Sequence, residues 1–308
     1  MIITKRTNDS QFPAYYLVYG FGIPLMQITL ITCIYVLYRI YRKNQLNHFT
    51  WKRIPMSLKF PLYMAINELF MYMVLMTDQL RPMIYKTNWD GVPCRLLGSS
   101  VFFLSMSNMI LVSNIAVITF KAVCHEVTVH TGKYDWKLLL FNVTLCTILT
   151  SSVYPYAGQS KYWCYNDNSN RSIFMPLLSV GIQVFFFCIT IISFFFVLKR
   201  VQVQKSLKDS CIIGLKEIVK SPSNYKSNSI DDEKGSPKQI LERVVARKVL
   251  TYILNYFIQW APIAPYTVGA IFGYYEDWVY VLTNIALNCG GLLNFIAFVR
   301  NEGWSDEA

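Results

Sequence analysis

The chain has 308 residues, of which 54% are hydrophobic and 15% charged, and its formal net charge is +11. Seven hydrophobic stretches contain none of its 29 lysine and arginine residues. A soluble domain would have to bury all seven as nearly uncharged helices, so we exclude that class. A helix of about 20 apolar residues crosses the hydrocarbon core of a bilayer. The composition therefore predicts an all-α membrane protein, a bundle of seven transmembrane helices.

The predicted bundle occupies residues 15–300, between a polar N-terminal segment of residues 1–14 and a short tail of residues 301–308. In chain order the spans are Tyr15–Tyr38, Phe60–Leu80, Gly98–Phe120, Leu138–Tyr156, Ile173–Leu198, Val249–Phe272 and Trp278–Val299. All reach the required length except the fourth, which is marginal. The N-terminal segment has no hydrophobic stretch followed by a cleavage site, so we expect span 1 to act as its own insertion signal.

The basic residues predict the orientation of the bundle. The connections after spans 1, 3 and 5, together with the tail, carry 22 of the 29 lysines and arginines. Cytoplasmic loops of membrane proteins hold the positive excess, so we expect the N-terminus outside and the C-terminus in the cytoplasm. This topology, with anionic lipid at the inner leaflet, explains the net charge, which therefore does not predict a nucleic-acid partner.

The predicted outer side has two features of an oxidising, glycosylating compartment. Asn8 begins the triplet Asn-Asp-Ser and Asn170 begins Asn-Arg-Ser, and both are candidate glycosylation sites. Cys94 lies just before span 3, and Cys164 lies between spans 4 and 5. Because no other external cysteine competes, we expect these two to form a disulfide. The bond would hold the loop over the outer end of span 3.

The connection from Lys199 to Lys248 is the largest predicted cytoplasmic segment. Hydrophobic residues recur at helical spacing in its first part, so we expect span 5 to continue as an amphipathic helix until Pro222. Residues 221–238 are rich in serine and poor in hydrophobic residues, and we expect them to be disordered. From Gln239 the helical pattern resumes and runs into span 6.

Two acidic residues, Glu68 and Asp78, lie inside the predicted spans, both in span 2. Charge within a bilayer is costly and is usually functional. At about 1.5 Å per residue, Glu68 lies at a depth similar to asparagines of spans 3, 6 and 7. These side chains either form hydrogen bonds that hold helices together or act as a polar switch whose partners differ between two conformations. The candidate switch residues are Glu68, Asn114, Asn288 and Asn294.

Asp78 lies near the predicted outer end of span 2, where polar and aromatic residues of other spans reach comparable depth. They could line a pocket open to the outside, although helix packing or anchoring at the membrane interface would also explain each residue. The candidate ligand-binding residues are Asp78, Gln183, Gln259, Trp260, Tyr266 and Asn284. Pro262 and Pro265 predict a bend in span 6, between this pocket and the basic cytoplasmic end of the span.

The sequence shows no catalytic or metal-binding pattern. The three histidines, His48, His125 and His130, all fall in predicted cytoplasmic segments. The chain has no phosphate-binding loop, dinucleotide fingerprint or serine nucleophile signature. We therefore expect neither enzyme activity nor a bound metal or cofactor.

The seven spans, the outside N-terminus, the cysteine pair and the long third cytoplasmic loop together resemble a G-protein-coupled receptor. A finer resemblance lies in Glu242–Leu250 (ERVVARKVL), Tyr256–Pro262 (YFIQWAP) and Gly290–Phe298 (GGLLNFIAF). These segments are similar to the fungal glucose-sensing receptors and the slime-mould cyclic AMP receptors, which carry a similar Trp-x-Pro in span 6. The motifs of the rhodopsin family are missing, since span 3 ends in Thr119-Phe120-Lys121 and span 7 has no Asn-Pro-x-x-Tyr.

The resemblance implies a plasma-membrane receptor, surrounded by lipid, that transmits an extracellular small-molecule signal to a heterotrimeric G protein. It implies that the cytoplasmic ends of spans 5 and 6 move. The residues expected to contact the G-protein α-subunit are Lys121, Arg243, Arg247 and Lys248.

Two alternatives stay open. A seven-span transporter or channel would use Glu68 and Asp78 as a path for protons or cations, although the odd span count and the lack of internal repeats count against it. A nematode-type chemosensory receptor would share the receptor class and differ in ligand and lineage.

Overall fold

The structure, a computed structural model, describes residues 12–46, 56–127, 129–166, 173–219, 237–274 and 276–303. The candidate glycosylation sites Asn8 and Asn170 lie outside the described residues, as do residues 221–236 of the segment expected to be disordered and residues 304–308 of the tail. The described part folds as helices joined by short connections, with one small two-stranded sheet.

The helices of the described part are α1 (Phe12–Leu46), α2 (Met56–Tyr85), α3 (Gly91–Cys124), α4 (Trp136–Val153), α5 (Phe174–Val219), α6 (Pro237–Trp260), α7 (Ala264–Ile271) and α8 (Asp277–Glu302). Six of them, α1 to α5 and α8, are long and apolar enough to cross a membrane. Predicted span 6 corresponds to α6 and α7 together. The prediction of an all-α membrane protein with a seven-helix bundle is confirmed.

Several helices extend beyond the predicted spans. Span 1 was predicted to end at Tyr38, whereas α1 continues to Leu46. The helix α5 continues past Leu198 to Val219, in agreement with the continuation of span 5 that the hydrophobic spacing predicts. The hydrophobic pattern ends where the chain leaves the hydrocarbon. Lysine, arginine and glutamine favour helix about as well as leucine does, so the backbone hydrogen-bonding pattern continues past that point.

The predicted bend in span 6 lies at a 3₁₀ turn, Ala261–Ile263, between α6 and α7. Pro262 lies within this turn and Pro265 follows it. A proline removes one backbone donor and its ring clashes with the preceding turn of an α-helix. The two closely spaced prolines coincide with the interruption of this span, whereas Pro24 is accommodated inside a continuous α1.

The bundle is organised around α3. In α3, 67% of the most hydrophobic window is buried, against 22% in α4, so α3 is central and α4 is peripheral. The outer surface carries large exposed hydrophobic side chains such as Ile31, Ile148 and Phe195. Extended apolar surfaces of this kind are uncommon on soluble monomers. Their presence agrees with a bundle that is surrounded by lipid.

A small hairpin covers one end of the bundle, which we call the hairpin end. Strand β1 (Ala157–Gln159) pairs antiparallel with β2 (Cys164–Asn166). The Cys94–Cys164 disulfide joins β2 to the start of α3, and this prediction is confirmed. A Cβ added at Gly98 would lie 3.1 Å from the backbone of Cys164 and Tyr165, so the glycine permits this close approach. The opposite end, where α6 begins and α8 terminates, is called the basic end.

Candidate functional site

A cavity lies directly beneath the hairpin, between α2, α3, α5, α6, α7 and α8. The hairpin residues Trp163, Cys164 and Tyr165 form its cover, and the space that the centres of water-sized molecules can occupy amounts to about 40 Å³. Five of the six predicted ligand-binding residues line it: Asp78, Gln183, Trp260, Tyr266 and Asn284. The sixth, Gln259, is directed to Glu68 instead, because neighbouring residues of a helix point about 100° apart.

Aromatic rings form the cover of the cavity. The Trp163 ring centroid lies 5.1 Å from that of Tyr280 and 5.8 Å from that of Tyr266. Tyr165 also packs on Tyr266, with 5.9 Å between centroids. Tilted and edge-to-face pairs at these distances are favourable ring geometries. The cover is therefore a packed layer that is continuous with the top of the bundle.

Polar contacts fasten the hairpin to α1 and α8. Asp277, at the start of α8, accepts hydrogen bonds from Lys161 Nζ and from the Tyr162 hydroxyl, both at 2.5 Å. The Tyr19 hydroxyl on α1 donates to the Tyr162 carbonyl. Burial and the Asp277 carboxylate raise the pKa of Tyr162 above its usual range, so its hydroxyl remains a neutral donor. Asp277 and Tyr162 were not predicted from the sequence, in which they resemble ordinary loop residues.

Asp78 is the one acidic residue among those lining the cavity, and its side chain is almost fully buried, at 1% exposure. Its two carboxylate oxygens share one donor, the backbone N–H of Cys164, at 3.0 and 3.3 Å. Among the described residues, none of the ion pairs involves Asp78. A carboxylate near the predicted outer end of span 2 is thus brought against the cover of the cavity.

A chain of amides lies beside the cavity on α8. Asn284 accepts from Gln79 Nε2 at 2.7 Å and donates to the Val18 carbonyl at 2.7 Å. Asn288, one turn further, donates to Asn284 Oδ1 at 2.8 Å, and its own carbonyl accepts from the Thr29 hydroxyl. These bonds connect α1, α2 and α8 through buried side chains. They place the predicted switch residue Asn288 beside the cavity wall.

Deeper in the bundle, Glu68 forms a second polar cluster. Its Oε1 atom accepts from Asn108 Nδ2 of α3 at 2.8 Å and from Gln259 Nε2 of α6 at 3.1 Å. We call these three residues the Glu68 cluster. A Cβ added at Gly290 of α8 would overlap the side chains of Gln259 and Glu68, so this glycine permits α8 to approach the cluster.

The asparagine partners expected for Glu68 are not the ones that contact it. The side-chain amide nitrogens of Asn114 and Asn294 are buried and have no hydrogen-bond partner among the described residues, and Asn288 bonds to Asn284. Depth along a helix is predictable from residue counting, but rotation about the helix axis is not. Asn108 and Asn114 differ by six residues, about 240° of rotation, so they face different neighbours.

A third cluster lies at the basic end. The carboxylate of Glu302, at the end of α8, accepts from Lys248 of α6 at 2.5 Å and from Lys43 of α1 at 2.8 Å. Asn301 Nδ2 also donates to the Lys248 carbonyl at 3.1 Å. We call Glu302, Lys248 and Lys43 the Glu302 cluster. It joins three helices at the end where the G protein was predicted to bind.

The other predicted G-protein contacts are less enclosed. Lys121 is exposed near the end of α3. Arg243 and Arg247 lie on the helical backbone of α6, and their side chains fall outside the described ones. Glu302 was missed because the sequence placed it in a short tail, although an acidic residue opposite a basic helix end is a signal that could have found it.

A second acidic residue at this end was also missed. Asp135, before α4, pairs with Lys59 of α2 at 2.8 Å and accepts from the Tyr63 hydroxyl at 2.8 Å. Both charged side chains are largely buried, with 10% and 3% exposure. Tyr134 and Asp135 have φ values of 62° and 56°, which is uncommon for residues other than glycine. This buried pair holds the connection between α3 and α4 against α2.

Comparison with known proteins identifies the fold. No protein-family model and no curated protein matches the chain. The crystal structure of squid rhodopsin is similar, with a TM-score of 0.66 over 94% of this chain and 85% of that chain. The fold is rhodopsin-like. Sequence identity is 12%, so the likeness extends to helix arrangement, which agrees with the missing rhodopsin motifs.

Proposed function

We propose that this chain is a G-protein-coupled receptor whose ligand binds in the cavity beneath the hairpin. The observation that carries the proposal is an enclosed cavity at one end of a rhodopsin-like bundle and clustered basic residues at the other. The uneven distribution of lysine and arginine assigns the basic end to the cytoplasm and the hairpin end to the exterior. With that orientation, the cavity faces extracellular ligands at the plasma membrane, and Asn8 and Asn170 are available for glycosylation.

Contacts along α6 support a route between the two ends. Trp260 lines the cavity, and the preceding residue, Gln259, donates to Glu68. A ligand that moves Trp260 therefore displaces the donor that α6 supplies to the Glu68 cluster. Glu68, Asn288, Asn114 and Asn294 form the proposed polar switch, in which the last two have amide nitrogens available for new partners. Ligand binding shifts the population of receptor conformations only if the ligand binds one arrangement of this switch more tightly than the other.

The Glu302 cluster supports a closed state at the cytoplasmic end. Glu302 holds Lys248 on α6 against α8. Movement of α6 away from α8 breaks this contact and releases Lys248 toward the G protein. In the proposed active state, Lys121, Arg243, Arg247 and Lys248 contact the α-subunit. Membership of the fungal glucose-sensing and slime-mould cyclic AMP receptor group, or of the nematode-type chemosensory receptors, is a finer proposal that the segments around Trp260 and Asn294 motivate.

Nucleotide exchange on purified G proteins tests the proposal. The full chain in lipid nanodiscs is incubated with representative G proteins and a ligand panel, and GDP release is measured. We expect at least one ligand to accelerate release, and we expect Arg243→Ala with Arg247→Ala to abolish the acceleration. Lys86→Ala, which removes a basic charge at the hairpin end, is the control and should leave exchange unchanged.

The same preparation separates the receptor from the transporter alternative. Proteoliposomes containing the chain are assayed for flux of protons and of the panel compounds. Ligand-dependent flux without exchange on any G protein would refute the receptor proposal. Epitope tags at both termini, probed in unpermeabilised cells, test the orientation, and labelling of both ends from one side would also refute it.

A further inference from the structure

The described residues that line the cavity include an acidic side chain and no basic one. Asp78 is the one acidic residue lining the cavity, and no lysine, arginine or histidine is among the lining residues. A buried carboxylate is stable only when charge or several donors compensate it, and Asp78 has a single backbone donor. The cavity therefore contains an acidic group that a cation entering the cavity would hold in its ionised form.

Three more polar atoms of the lining residues have no hydrogen-bond partner in the part of the chain that the structure describes. They are Gln79 Oε1, Thr283 Oγ1 and Trp260 Nε1. All three side chains are at most 2% exposed. Buried polar groups in native proteins are satisfied in the great majority of cases, so three around one cavity indicate a bound molecule. The carboxylate and the amide oxygen are pure acceptors, and only the indole is a pure donor. The unmet demand is for donors.

The remaining surface is aromatic and apolar. Trp163, Tyr165 and Tyr266 cover the cavity, and Met106, Met109 and Leu287 lie among its walls. The faces of tryptophan and tyrosine rings attract cations, whereas an anion gains nothing from them. A sugar would need hydrogen-bonding partners for its several hydroxyl groups, whereas the surface that the lining residues expose to this cavity is mainly apolar. An apolar or aromatic body fits these walls.

From these observations we propose that the ligand is a small organic cation, a protonated amine on an apolar or aromatic body, whose ammonium group pairs with Asp78. The inference rests on the proposed ligand-binding function of the cavity and specifies the class of its ligand. The ammonium donates to Asp78 and Gln79 Oε1 beneath the rings of the cover. The body of the ligand extends toward the methionines of α3. Asp78 thereby becomes the residue that selects cations over neutral and anionic analogues.

Matched probes of different charge test this inference. Full-length protein in lipid nanodiscs is heated with 2-phenylethylamine, 2-phenylethanol or phenylacetate, and with the corresponding indole compounds. We expect the amines to raise the Tm and the alcohols and acids to leave it unchanged. Titration should show affinity for the amine lowered about 10- to 100-fold in Asp78→Asn, since a charged hydrogen bond is lost. Asparagine retains an oxygen that can accept from the Cys164 N–H, so the variant should fold.

Glu276→Gln is the matched control, because it removes one exposed carboxylate just before α8. It should leave the response to the amine unchanged. The inference is overturned if no amine stabilises the protein more than its alcohol, or if Asp78→Asn responds as strongly as the original chain. An amine that binds through Asp78 but promotes exchange on no G protein would uphold this inference and contradict the receptor proposal. A neutral agonist whose binding is unchanged in Asp78→Asn would uphold the receptor proposal and contradict this inference.

Discussion

If the proposed function holds, replacement of Glu302 by glutamine should raise the ligand-independent rate of nucleotide exchange on the G protein. The carboxylate is 7% exposed and accepts from Lys248 and Lys43, whose side chains are 24% and 42% exposed. A hydrogen bond to a charged group contributes about 1.5–3 kcal/mol. The more exposed bond to Lys43 is discounted because solvent screens it. The closed state should therefore lose roughly 1.5–2 kcal/mol, which favours the open state about 10- to 30-fold.

The assay is GDP release from the G protein in the presence of the nanodisc-embedded protein without ligand, compared at equal amounts of inserted protein. Lys43→Met should raise the basal rate less than Glu302→Gln does, because it removes only the more exposed of the two bonds. Exchanging the charges, with Glu302→Lys and Lys248→Glu together, should restore part of the low basal rate. A basal rate in Glu302→Gln equal to that of the original chain would show that the Glu302 cluster does not hold α6 closed.

Three further changes probe stability. Gly290→Ala should lower the Tm, because the added Cβ overlaps Gln259 and Glu68 and such overpacking costs about 1–3 kcal/mol. Gly20→Ala is the control, because the added Cβ meets nothing within 4 Å there. Cys164→Ser should lower the Tm and weaken ligand binding, because the disulfide joins residues 70 positions apart and contributes about 2–5 kcal/mol to stability. Equal Tm values for the variant and the original chain would contradict this prediction. Asp135→Asn should lower the free energy of unfolding by about 3–5 kcal/mol, because it removes the carboxylate that pairs with the buried Lys59. Adding Lys59→Met should recover much of this loss, measured as the Tm.

Much of the fold could be predicted from the sequence because the membrane imposes local requirements. A segment that crosses lipid must satisfy its own backbone hydrogen bonds and must be apolar over its whole length. Both properties can be read residue by residue, so seven spans and the interruption near Pro262 were predictable. The Cys94–Cys164 bond was predictable for a similar reason, because topology left few cysteines in the same compartment.

The polar contacts could be predicted only in part. Counting residues placed Glu68 at the right depth for amide partners, but packing turned Asn108 toward it and Asn114 away from it. Neighbouring residues of α6 were likewise separated, since Trp260 faces the cavity and Gln259 faces Glu68. Sequence patterns contain the hydrophobic periodicity of a helix, yet these membrane-spanning helices are apolar on nearly every side. The hydrophobic periodicity therefore did not predict how each helix is rotated about its axis.

The sequence by itself determined that the chain crosses the membrane as helices and that its basic residues collect at one end, because hydrophobic length and charge are properties of single segments. The tertiary structure decided which side chains meet: Asp78 beneath the hairpin, Glu68 with Gln259, and Glu302 with Lys248. Each of these contacts joins residues far apart in the chain. They depend on helix rotation and on close approach at glycines, which are fixed only when the whole bundle packs.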